Sequence, residues 1–198
     1  MAVRYGVTCV LLAIPMLALG CASGPTPAAK EEQAAPAATA APAENAAPAR
    51  VSDAEIAAIV VVANTVDAET GDLAVAQATN PAVKEFGQTM ARDHRAVNEQ
   101  AGALVTKLGV TPVESAVSRK LREDGTAFQR ELKAKSGAEF DRAYMAHEVA
   151  YHQAVIDAVD QLLIPSATNG ELKQTLIGVR PAFVAHLRHA QELEGSLR

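Results

Sequence analysis

From Val83 to Leu108 apolar residues recur in steps of three and four, so that Val83, Phe86, Met90, Val97, Ala101 and Leu104 share one face of a helix. His94 occupies a slot in that stripe. Two stripes downstream repeat the pattern. Met145, Val149, Ile156, Val159 and Leu163 have His152 among them, and Leu172, Leu176, Val179, Phe183, Ala190 and Leu193 have His186. Upstream, Ile56, Val60, Ala63, Thr70 and Ala74 form a series containing Asp67, while Ile59, Val66 and Leu73 offer a competing face. Each predicted helix thus places one ionisable residue where a core side chain belongs.

Glycine, proline and capping residues divide the stripes into elements. Ser52 with Glu55 makes a capping box that opens the first helix. Asn80 and Pro81 end it and start the second, which stops at Gly109. A polar third helix is predicted from about Glu114 to Lys135. Ser136 and Glu139 form a second capping box for a fourth helix, which Pro165 should stop. The fifth begins after Asn169, reaches about Glu194, and contains Pro181, which should kink it. No segment alternates with period two, so the domain is all-α. Tight turns make helices one and two, and four and five, antiparallel neighbours. The charged third helix then lies in the connection between two hairpins, the one-crossover topology of a ferritin-like four-helix bundle.

Height along such a bundle tests whether the polar slots meet. Asp67 precedes Asn80 by as many residues as His94 follows it, within one, so the two should be level. His152 and His186 are offset by about four residues after allowance for their loop, or ~6 Å at 1.5 Å per residue. Three imidazoles and a carboxylate are ligands for transition metals, and bundle cores are where such sites are built. His94, His152, His186 and Asp67 are therefore the candidate metal ligands, with the metal's identity open. The same four groups also make sense as a structural network that hydrogen-bonds internally and fixes helix register. A ferritin-type di-iron site is not expected, because Ala91, Val149 and Phe183 stand three residues before the histidines where that chemistry needs glutamates.

Other polar residues have weaker claims. Asp93 points away from the stripe and should be solvated. Glu148, four residues before His152, is expected at the surface, with a role in orienting that imidazole as the alternative. Tyr144 and Tyr151 read as packing residues with wet hydroxyls. His147 and His189 lie off the stripes, and His189 is near enough to His186 to share a ligand. No nucleophile with a partnered base, phosphate loop or cofactor motif is present, so no catalytic residue is assigned.

The first fifty of the 198 residues differ from the rest. Arg4, an apolar run from Val7 to Leu19, and Leu-Gly before Cys21 read as a signal peptide ending in a lipobox. The run is too short for the ~20 residues of a spanning helix. Cys21 is then the lipidated amino terminus, and Ala22 after it implies sorting to the outer membrane, with the domain facing the periplasm. Residues 22–50 contain half of the ten prolines, much alanine and no large apolar side chain, so they form a disordered linker reaching up to ~90 Å. The domain proper is 51–198. Cys9 leaves with the signal, which excludes internal disulfides and CxxC metal sites. With 18 basic and 23 acidic residues, and Arg4 lost, the chain is too acidic for nucleic acid. Protein partners and oligomeric state are not encoded in any recognisable pattern.

The runs Asn64-Thr65-Val66-Asp67, Asn80-Pro81-Ala82-Val83-Lys84-Glu85-Phe86, Met90-Ala91-Arg92-Asp93-His94, Phe140-Asp141-Arg142-Ala143-Tyr144-Met145 and Pro181-Ala182-Phe183-Val184-Ala185-His186 resemble a large bacterial family of exported domains. It is the domain-of-unknown-function family four-one-four-two, whose members are known as predicted outer membrane proteins. The resemblance spans about residues 55 to 194. It implies a ferritin-like fold and aligns His94, His152 and His186 with the family's histidines, while Asp67 stands where glutamate is more usual. It implies no biochemical activity. The sequence thus points to a lipid-anchored periplasmic helical domain that binds a metal ion or small ligand. The alternative is a non-catalytic envelope interaction or spacer module with a structural His/Asp network.

Overall fold

A computed structural model describes residues 50–197, and among them all regular structure is helical. Five helices follow in order: α1 (Asp53–Gln77), α2 (Pro81–Leu108), α3 (Ala116–Lys133), α4 (Gly137–Ala158) and α5 (Gly170–Ser196). The Ser52 box opens α1 as its sequence requires: Ser52 Oγ accepts from the Glu55 N–H, and a Glu55 carboxylate oxygen accepts from the Ser52 N–H at 2.8 Å. Asn80 caps α2 through the Ala82 N–H, and Gly109 ends it at φ +65°, a conformation glycine adopts at no steric cost.

Two expected boundaries differ. Ser136 makes no side-chain cap, and the Glu139 carboxylate accepts from Lys135 Nζ at 2.6 Å instead of reaching back. Pro165 does not stop α4 either. The helix widens into a π-helical segment at Val159–Leu163 and takes one more turn, Ile164–Ser166, with Pro165 inside that turn.

α1 with α2 and α4 with α5 form antiparallel hairpins, and α3 lies against α1. The competition between the two faces of α1 resolves in favour of both: Ile56, Asp67, Thr70 and Ala74 are buried, and so are Ile59, Val62 and Val66. The third helix covers the second face. It approaches so closely at Gly125 that a β-carbon there would lie 2.4 Å from Val66 Cγ1. A close backbone contact also joins α1 to α2, since a β-carbon on Gly71 would lie 2.7 Å from the Gly87 carbonyl oxygen.

The two hairpins hold one another at both ends. Asp141, near the start of α4, accepts from the N–H groups of Thr79 and Asn80 at 3.0 and 2.9 Å, and from Thr79 Oγ1 at 2.6 Å. Asp53, in the first turn of α1, does the same at the opposite turn, accepting from the N–H groups of Thr168 and Asn169 and from Thr168 Oγ1. Each turn reads Ala-Thr-Asn, and each is clasped by an aspartate of the other hairpin.

Apolar packing falls into two clusters. One, at the α1–α2 turn, contains Val83, Phe86, Met90, Phe140, Tyr144 and Met145; the other, at the α4–α5 turn, contains Ile56, Ile156, Leu163, Leu172, Leu176 and Phe183. The four polar slots lie between them. Among the described residues, both cores and all helix caps lie within 51–197.

Candidate metal centre

Asp67, His94 and His152 are almost wholly buried, and His186 is 9 % exposed. The level predicted for the first pair is observed, since His94 Nε2 lies 3.2 Å from Asp67 Oδ2. The Gly71–Gly87 contact explains the closeness, because it brings α1 and α2 together one to two turns away. His152 Nε2 is 3.6 Å from the same Asp67 oxygen. One ring nitrogen each from His94, His152 and His186 lies within 4.8 Å of the others. The three histidines therefore converge, while Asp67 meets His94 and His152 and groups with Glu148 and His152.

The outward-facing nitrogen of each ring is committed to an acceptor. Asn64 donates its Nδ2 to the Val60 carbonyl, which turns its Oδ1 toward His94 Nδ1 at 2.7 Å. His94 Nδ1 must carry the hydrogen. His152 Nδ1 lies 3.1 Å from the Glu148 carbonyl oxygen, which can only accept, so it too is the protonated nitrogen. His186 Nε2 donates to Asp93 Oδ2 at 3.1 Å. The remaining nitrogens, His94 Nε2, His152 Nε2 and His186 Nδ1, are buried without a hydrogen-bond partner, as are both oxygens of Asp67. The short approaches of Asp67 to the two imidazoles are not aligned as hydrogen bonds. Lone pairs thus face lone pairs at the centre of the bundle.

Burial sets the charges. Desolvation, with the neighbouring imidazoles His152 and His186, pushes the His94 pKa down to about 2, so the ring is neutral. Desolvation likewise lowers His186, with His152 adding to it and Asp93 opposing it. Burial and the nearby Glu148 hold the Asp67 carboxyl well above the usual carboxylate range. Burial also raises Glu148 to about 8.

Several residues escaped the sequence reading. Glu148 is 1 % exposed rather than at the surface, and Asp67, Glu148 and His152 form a second group whose ligand atoms lie within 4.8 Å. A glutamate four residues before the histidine thus provides the second carboxylate that the position three before it lacks. Asp93 is not merely solvated, because it orients His186. Burial works against its charge, but hydrogen bonds from Arg92 and His186 prevail and its pKa is lowered. Neither tyrosine hydroxyl is wet: Tyr151 donates to the Ala63 carbonyl at 2.8 Å, and Tyr144 is fully buried. His147 stacks on Phe128 and His189 stands edge-on to Phe86, so both act in packing.

No curated protein and no solved structure matches the chain. One family model does, described as a domain of unknown function (DUF4142), over residues 36–193. The match spans Asp67, His94, His152 and His186 and most of the sequence, and the chain belongs to the DUF4142 family.

Proposed function

We propose that this protein is a lipid-anchored component of the bacterial cell envelope whose periplasmic bundle binds a transition metal ion through His94, His152, His186 and Asp67. The carrying observation is the set of four inward-facing ligand groups with no partner of their own. Every histidine has its other nitrogen fixed by an oxygen acceptor, the arrangement that orients metal-binding imidazoles. A cation converts the opposed lone pairs from repulsive to bonding and favours the ionised form of Asp67. Three imidazoles and one carboxylate suit zinc and also accommodate copper, iron or manganese. Anchoring rests on the lipobox at Cys21, outside the described residues; mass spectrometry of the amino-terminal peptide tests it by the diacylglyceryl mass on that cysteine.

The metal reading is tested on residues 51–198, stripped with chelator and reloaded separately with zinc, copper, iron and manganese. One tightly held ion per chain is expected. At a hundredfold excess over Kd it should stabilise the bundle by about 2.7 kcal/mol, or roughly 5–10 °C in Tm. Each of His94→Ala, His152→Ala and His186→Ala should abolish that shift. Absence of bound metal together with absence of a thermal shift across all four ions refutes the reading and leaves the structural network in its place.

A further inference from the structure

An apolar cavity of about 360 Å³ runs beside the metal centre, and neither the convergent histidines nor the fold requires it. Its origin lies in small side chains. Ala150, Ala154 and Ala158 repeat every fourth residue on the wall contributed by α4, and Ala63 of α1 adds another gap. Gly125 meanwhile draws α3 onto Val66, so α3 leans on α1 and leaves the space beside α4 unfilled.

The mouth is flanked by exposed Val117 and Asp124 of α3 and by Ala150 and Ala154 of α4. One inner end is polar and the other is not. At the level of the metal centre the wall includes Asn64, His94 and Tyr151; toward the α4–α5 turn it consists of Ile59, Val159, Leu163 and Leu176. Residues 147 to 163 of α4 and its π-helical extension line the space, about 24 Å of helix at ~1.5 Å per residue. A helix with side chains is ~10–12 Å across and does not fit such a volume. At about 30 Å³ for a group the size of water, the cavity holds about a dozen methylene-sized groups in line. An apolar wall open to water is stabilised by whatever covers it.

We propose that this cavity is a binding site for a single-chain amphiphile, a saturated hydrocarbon chain of about twelve carbons with a small oxygen-containing head. The chain lies along the bundle toward Leu163 and Leu176, and the head sits against Tyr151 and the Nδ2 group of Asn64. Long-chain alcohols and fatty acids share this chemistry. The site does not rest on the metal reading, since its walls are complete without an ion.

Calorimetric titration of residues 51–198 with 1-dodecanol and with dodecanoate, each in chelator and again with zinc, tests the proposal. Saturable one-to-one binding is expected, with affinity rising about fourfold per methylene from hexanol to dodecanol and then levelling off. Dodecanol should bind in chelator as well, which separates this result from failure of the metal site. Dodecanoate binding only with zinc would assign the fatty-acid arm to a metal-held head. Ala154→Trp should weaken dodecanol binding more than tenfold in a bundle that still melts cooperatively; Val117→Trp closes the same mouth from α3 if the first variant does not fold. The proposal is overturned if neither probe binds saturably, or if both tryptophan variants bind as the parent does. It is also overturned if residues 51–198 bind and the full chain does not, because the chain's own amino-terminal residues are then the occupant.

Discussion

Glu148→Gln is expected to make the metal-free bundle more stable at neutral pH, and to do so by an amount that depends on pH. In the folded protein the Glu148 carboxyl keeps its proton up to about pH 8, against an ordinary value of 4.5. Its pKa is raised on folding, so the protonated form is the one the fold favours. The stability it allows is complete below pH 4.5 and falls as pH rises through 8, where folding would bury a charge. At 1.36 kcal/mol per pH unit the loss between pH 4.5 and pH 7 is about 3 kcal/mol. Glutamine has nearly the same shape and no proton to lose, so that penalty disappears. Part of the effect belongs to Asp67, whose carboxyl is held up partly by Glu148, and the two titrate as a pair. Urea unfolding followed by circular dichroism, with chelator present, should show parent and variant within about 1 kcal/mol of one another near pH 4.5, and the variant ahead by about 3 kcal/mol near pH 7. Subtracting the parent curve removes the carboxylates common to both proteins. A constant gap between the two at every pH would refute the reasoning.

Two further predictions concern how the ligands are held. Gly87→Ala places a β-carbon 2.7 Å from Ala74 Cβ and 2.8 Å from the Gly71 carbonyl oxygen, so α1 and α2 must separate. The expected cost is about 1–3 kcal/mol, read as a drop in Tm, together with weaker metal binding as Asp67 and His94 move apart. Asp93→Ala frees the His186 ring to turn, and metal affinity by competition titration should fall roughly 10–100-fold while the metal-free Tm moves little.

The hairpins and the burial of Asp67, His94, His152 and His186 were legible in the sequence because they depend on local rules. Caps at Ser52 and Asn80, the stop at Gly109 and a three-four stripe on each helix suffice, and counting residues from Asn80 places Asp67 level with His94. Glu148, Asn64 and Asp93 were not legible for a common reason. A stripe marks the centre of a buried face, whereas these residues lie at its margins and are buried by a neighbouring helix or engaged by a side chain from another. Glu148 is covered because the hairpins face one another around the centre, and α1 hides both faces because α3 lies on it. A long-range signal was available: Ala78-Thr79-Asn80 recurs as Ala167-Thr168-Asn169, with Asp53 and Asp141 in matching positions. Aligning the hairpins on that repeat pairs His94 with Phe183, whose ring is parallel to that of His94 with centroids 5.6 Å apart.

The aspartate clasps bear on what the buried histidines are for. A polar centre in a helical core often serves as an alignment pin, fixing how far one helix slides along another. Here the sliding coordinate is already set at the rims, where Asp141 grips Thr79 and Asn80 and Asp53 grips Thr168 and Asn169. The bundle therefore does not depend on its imidazole cluster alone for that alignment. A substitution at the centre can change what the interior holds while the two rims still keep the hairpins in register.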